Sequence, residues 1–192
     1  MGCSHRPDKW NGTDVTGTLP DLQFTMTRAG DGKQITAAAY RGKVTLLYFG
    51  YTFCPDICPL TLSNVTQALN RLADKAHEVR VLFVTVDPDR DTLDVLRSYT
   101  SAFAPESVGL RGTPDQLATL AKRYRVAYSA GKDSRGEYVV THSSIVFAFD
   151  KQGKARLIYT NLSKPSADTK GMAADLKRLA DAGEGGGWFS WL

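Results

Sequence analysis

Two short apolar runs, residues 44–49 and 79–86, constrain the fold more than any other feature of this chain. Each is rich in β-branched and aromatic residues and ends at turn-forming ones, so each reads as a buried strand. Between them Leu62, Val65, Leu69 and Leu72 recur at helical spacing, which predicts a helix over residues 59–75. Strand, helix and strand in that order imply a parallel βαβ crossover.

The flanking segments fill in around this unit. Residues 22–26 alternate like a strand, Gly30, Asp31 and Gly32 turn it, and residues 33–36 return as a hairpin. After the second buried strand, Leu93, Leu96, Tyr99 and Phe103 mark a helix face closed by Pro105. A short strand at 108–110 follows, and Thr113-Pro114 opens a helix with Leu117, Leu120 and Tyr124 on one side. Residues 137–141, 144–149 and 155–160 read as strands, the last two joined by a turn at 150–153. Met172, Leu176 and Leu179 define a final helix. The order is that of an α/β, thioredoxin-like sandwich, with a central mixed sheet flanked by helices and an N-terminal β-hairpin.

With 192 residues, 42% of them hydrophobic and 23% charged, the chain has enough material for a single core. We expect one domain over residues 19–182, a polar arm with little structure over 1–18 in which only Trp10 docks, and a glycine-rich aromatic tail over 183–192. The balance of 24 basic against 20 acidic residues, with no long run of either sign, gives no suggestion of nucleic-acid binding. Residues 1–4 contain no apolar stretch, so neither a signal peptide nor a membrane span is expected there. A cysteine behind a glycine and ahead of a polar stretch is what a trimmed bacterial lipoprotein signal leaves. Cys3 is therefore the expected lipid attachment point, the alternative being an incidental exposed thiol.

Cys54 and Cys58 carry the chemistry. They sit where the first buried strand hands over to the helix, the junction at which open α/β sheets place ligands. Pro59 predicts that the helix starts there, with Cys58 as its N-cap and Cys54 in the preceding turn. A thiol at a helix N-terminus feels positive charge, which predicts depressed thiol pKa values and favours both metal ligation and redox attack. Residues four apart in a helical turn have β-carbons roughly 5–6 Å apart, whereas a relaxed disulfide needs roughly 3.5–4.5 Å. A metal at roughly 2.3 Å from each sulfur spans the wider gap more easily.

Thioredoxin-type oxidoreductases use two cysteines separated by two residues and a cis-proline before the following strand. Here no proline occurs between Asp115 and Lys164, and the corresponding place holds His142. In such a fold that loop faces the cysteine junction, so Cys54, Cys58 and His142 are expected to converge as two sulfurs and one nitrogen. That donor set suits Cu(I), and Cu(II) with a further ligand. His77 reads as a solvated linker residue and His5 as an adventitious metal contact. Asp56 and Asp87 read as rim, turn or capping residues.

From residue 17 to residue 181 the chain resembles the Sco/SenC family of copper proteins that assist cytochrome c oxidase assembly. The resemblance is carried by residues 48–59 around the two cysteines, by Val86-Asp87-Pro88-Asp89-Arg90-Asp91-Thr92, and by His142-Ser143-Ser144 before a strand. It implies copper ligation by Cys54, Cys58 and His142. The implied partners are the oxidase subunit with the dinuclear copper centre and other periplasmic copper carriers. The implied location is the periplasmic face of a bacterial inner membrane, with the membrane contacted only by a tether. Thr141 stands where an aspartate often precedes the family's histidine. The family divides between copper delivery and reduction of the target's cysteines, and in the second role Cys54 and Cys58 form the redox-active pair of a thiol-disulfide oxidoreductase.

Overall fold

The computed structural model describes residues 9–132 and 134–182. Cys3, His5 and the aromatic tail lie outside them. The two apolar runs are strands β4 (Val44–Gly50) and β5 (Val79–Thr85), paired in parallel with Tyr48 opposite Phe83. They form the middle of an eight-stranded sheet that also contains β1 (Thr13–Asp14), β2 (Thr25–Arg28), β3 (Gln34–Thr36), β6 (Ser107–Arg111), β9 (Val146–Phe149) and β10 (Ala155–Tyr159). The order across the sheet is β1-β10-β9-β4-β5-β6-β2-β3; β4–β5 and β5–β6 pair in parallel, and the other neighbours pair antiparallel. The sheet is mixed, as expected.

Both faces of the central strands are covered, which is why their sequences are apolar at every step rather than at alternate ones. Val44, Leu46, Tyr48, Val81 and Phe83 face one core, together with α1 (Ile57–Asn70), α2 (Leu93–Ser101) and α4 (Thr169–Asp181). Leu47, Phe49, Leu82 and Val84 face the other, against α3 (Pro114–Arg123). Leu62, Val65 and Leu69 are fully buried on α1, each contributing roughly 1.5–3 kcal/mol relative to an exposed position. Helix α3 starts as its sequence predicts. Thr113 Oγ1 accepts from the Gln116 amide at 3.2 Å, and Gln116 Oε1 accepts from the Thr113 amide at 2.9 Å.

Three expectations are corrected. Helix α1 runs over Ile57–Asn70 rather than 59–75, and the 3-10 turns Ala73–Glu78 take up the remainder. The strand expected at 137–141 is β8 (Tyr138–His142), which lies outside the main sheet and pairs antiparallel with β7 (Tyr128–Lys132), a strand the sequence did not announce. The arm through residue 18 was expected to have little structure. Its described part is ordered from Lys9: Trp10 docks beneath the Arg178 guanidinium, 3.7 Å from the ring centroid, and β1 adds to β10.

The arm is ordered because buried Asp175 on α4 gathers its donors. The carboxylate accepts from the Asn11 amide at 3.1 Å, the Asn11 side chain at 3.0 Å, the Gly12 amide at 2.8 Å and the Tyr159 hydroxyl at 3.1 Å. Asp175→Ala is expected to lower stability by roughly 2–4 kcal/mol, since several donors lose one acceptor. The same change should speed hydrogen exchange at Asn11 and Gly12. Exchange at wild-type rates in this variant would show that the carboxylate does not hold the arm.

Among the described residues no helix is long and apolar enough to cross a membrane.

Candidate metal centre

The two cysteines and the histidine are brought together by sheet order. Strand β9 runs antiparallel to β4 with Val146 opposite Tyr48, so the residues just before β9 lie beside the C-terminal end of β4. His142 ends β8 at that point, and Cys54 and Cys58 follow β4 there. One ligand atom from each of Cys54, Cys58 and His142 lies within 4.8 Å of the other two. The expected convergence is present, although the three residues span 89 positions of sequence.

Each side chain is held in a specific way. Helix α1 begins at Ile57 with Asp56 as N-cap, so Cys58 lies inside the first turn rather than capping it. Pro59 is tolerated as the third helical residue for two reasons. The N–H it lacks has no intrahelical acceptor, and the carbonyl four residues back belongs to Pro55, ahead of the helix. Cys58 points into the core and is fully buried. The close approach of its turn to β4 requires glycine at position 50, where a β-carbon would stand 3.0 Å from Cys58 Sγ and 2.6 Å from the Phe83 ring. Cys54 is half-buried, and its sulfur accepts from the Cys58 amide at 3.4 Å.

Burial also reverses the expected direction for Cys58. Desolvation pushes its thiol up to about 12, outweighing the Tyr51 backbone and Tyr48 side chain, which act the other way. The helix end therefore does not leave Cys58 as a free thiolate. Tyr51 is likewise pushed up to about 12, by burial first and by the neighbouring Cys54 second.

The His142 ring is gripped edge-on between Tyr48 and Tyr51, with centroids 5.9 and 5.8 Å away. Its Nδ1 lies 3.0 Å from the Ser143 carbonyl oxygen, which can only accept, so Nδ1 carries the proton. The Nε2 lone pair is left facing Cys58 Sγ at 3.2 Å. Burial lowers the histidine's pKa, keeping the ring in the neutral form that ligates metals.

The rim joins three segments. Arg90 pairs with buried Asp87 at 2.5 Å, and its guanidinium carbon lies 4.9 Å from the centroid of the Phe53 ring and 4.3 Å from that of Tyr138. The Tyr138 hydroxyl donates to the other Asp87 oxygen at 2.8 Å. The loop holding Cys54, the loop after β5 and the hairpin holding His142 are thus tied together. Behind them, buried Asp91 accepts from the Thr52 amide at 3.1 Å, the Thr52 hydroxyl at 2.5 Å and the Thr85 hydroxyl at 2.6 Å. Asp56 is exposed and its side chain makes no capping bond, while His77 is exposed as expected. Arg90, Asp91 and Tyr48 were not singled out for the site from sequence. Their only signal was membership of the motifs that carry the family resemblance.

Fold and cluster together define a thioredoxin-like domain with two thiols and an imidazole at the end of its central parallel strand. The SCO1/SenC family model matches residues 17–181, and the chain belongs to that family. It is 41% identical over 127 residues to yeast mitochondrial protein SCO2, an alignment covering 65% of this chain and 42% of the relative. The chain spans about half the length of the curated relatives it matches. Among solved structures, Bradyrhizobium japonicum ScoI with copper bound is 34% identical with a TM-score of 0.73, the match covering 83% of this chain and 98% of that one. Apo Sco1 from Thermus thermophilus is 32% identical with a TM-score of 0.76, covering 93% and 99%.

Proposed function

We propose that this protein is a copper-binding assembly factor that helps build the dinuclear copper site of cytochrome c oxidase, binding one copper through Cys54, Cys58 and His142. The observation that carries this reading is the convergence of the three donors within 4.8 Å, with the Nε2 lone pair turned toward Cys58 Sγ. Thiolate bonds of roughly 2.3 Å and imidazole bonds of roughly 2.0 Å put three donors around one ion roughly 3.5–4 Å apart, close to the spacing present. Two soft sulfurs and one nitrogen suit Cu(I), and a fourth ligand from solvent or a partner completes a Cu(II) site. The copper-bound Bradyrhizobium relative supports the choice of metal. With copper as cargo, a three-donor site has chemical sense: the open position is where an incoming cysteine or histidine of the recipient begins exchange.

His142→Ala tests the assignment. The variant is expected to keep its fold, to lose Cu(II) affinity by more than the roughly 10–100-fold typical of outer-sphere changes, and to lose or shift its sulfur-to-copper absorption. Wild-type affinity and an unchanged band would remove the histidine from the site.

A second reading is reduction of the recipient's cysteines, favoured by the pairing of a half-buried Cys54 with a fully buried, free Cys58. In that role the Cys54 thiolate attacks the target disulfide, and Cys58 then releases the target as a dithiol, leaving an oxidised Cys54–Cys58 pair. Steady turnover on a generic disulfide with a thiol reductant supplied, undiminished by His142→Ala, would favour this reading over copper binding.

A further inference from the structure

Resting on the copper reading, we propose that the Tyr48 hydroxyl donates a hydrogen bond to the Cys58 sulfur once that sulfur is a metal-bound thiolate, so that Tyr48 is a positioning residue that tunes the copper. Buried polar atoms in folded proteins nearly always have partners, and an exception calls for an explanation. Among the described residues, four buried side-chain oxygens have none: the hydroxyls of Tyr40, Tyr48, Thr61 and Tyr99. Three of these four belong to the wall around Cys58.

Their placement follows from the fold. Strand alternation turns Tyr48 toward α1, into the same core as Cys58, and Thr61 lies one turn after Cys58 on that helix. The Tyr48 hydroxyl lies against both the Cys58 sulfur and Thr61, yet closes a hydrogen bond to neither. Tyr99 packs behind, its ring 5.3 Å from Phe83, and senses the two sulfurs only electrostatically. Tyr48 is therefore the donor in reach.

Of the hydroxyl's two neighbours, the Cys58 sulfur is the acceptor that metal binding changes. A protonated thiol is a weak one, and its own proton is directed at His142 Nε2. On metal binding the thiol proton leaves to solvent, Nε2 turns its lone pair to the metal, and the sulfur becomes an anion. A charged acceptor beside an unused donor makes a strong bond. Hydrogen bonds to a ligating sulfur withdraw electron density from it and are a known lever on copper potentials.

Tyr48→Phe tests this, with Cu(II) as the probe. The variant keeps the ring that packs on His142 and removes only the hydroxyl. Without copper it should melt at or above the wild-type temperature, because the lost group had no partner. With copper, the sulfur-to-copper band should move to longer wavelength, the reduction potential should fall, and affinity should drop roughly 10-fold, the low end for outer-sphere partners. The copper-induced rise in melting temperature should shrink accordingly. Thr61→Val, which leaves the Tyr48 hydroxyl in place, should not move the band. An unmoved band in Tyr48→Phe, or an equal shift in Thr61→Val, overturns the role of Tyr48 while leaving the copper site intact. A wild-type protein with no thiolate-to-copper band at all overturns both.

Discussion

Cys54→Ser is expected to abolish tight copper binding while leaving the domain folded. A serine oxygen is hard and protonated where the metal needs a soft anionic sulfur, so one of three donors is lost rather than weakened. The loss should exceed the roughly 10–100-fold that follows from removing an outer-sphere partner. The structural consequence is small because Cys54 is half-buried, at the rim of the core, and its sulfur accepts the hydrogen bond of the Cys58 amide. A hydroxyl in its place can still accept that bond. Cys58→Ser should lose copper equally and also destabilise, since it puts a hydroxyl where a fully buried sulfur packs against Gly50 and the core. The check is copper retained per chain after loading and desalting, alongside melting temperature. A Cys54→Ser protein that keeps one copper per chain would place the metal elsewhere.

Asp91→Ala should be the most damaging change to stability near the site. Its carboxylate accepts from the Thr52 amide and hydroxyl and from the Thr85 hydroxyl, and alanine leaves all three without an acceptor. A buried donor that loses its acceptor costs about 1–3 kcal/mol. Thr52 is only half-buried and rehydrates in part, so the total should be about 4 kcal/mol. For a domain of this size that is a fall of roughly 8–16 °C in melting temperature. Because Thr52 stands two residues before Cys54, the loop carrying that thiol should loosen too, and copper affinity should fall with stability. Asp91→Asn, which keeps one acceptor oxygen, should recover part of both. A melting temperature within about 2 °C of wild type would show that the carboxylate is not what holds this loop.

The buried strands, the apolar helix faces and the start of α3 were legible because their signals are local. The apolar runs of β4 and β5, the α1 stripe of Leu62, Val65 and Leu69, and the Thr113-Pro114 start of α3 each lie within a dozen residues. The three candidate donors were legible for a different reason. Two cysteines at a strand-to-helix handover carry their own chemistry, and His142 was placed opposite them by fold resemblance, which the sheet order bears out as a juxtaposition.

What escaped has no local signal. Strand β7 contains Ser129, Ala130 and Gly131 and shows no apolar period; it exists by pairing with β8, with Tyr128 opposite His142. Strand β1 has two residues, and the amides just before it are held by Asp175, more than 160 positions away. The expected low thiol pKa rested on helix charge alone. Only tertiary packing could show that Cys58 is sealed from water, and desolvation of a buried thiol outweighs a partial charge that solvent partly screens. The sequence by itself determined the buried strands β4 and β5, the apolar faces of the helices and which side chains can ligate a metal, since spacing and side-chain chemistry are properties of the chain. The tertiary structure alone decided which sulfur is buried, which imidazole nitrogen faces it and which hydroxyls lie unpaired beside it, because burial and hydrogen-bond geometry depend on segments that meet only once the sheet has formed.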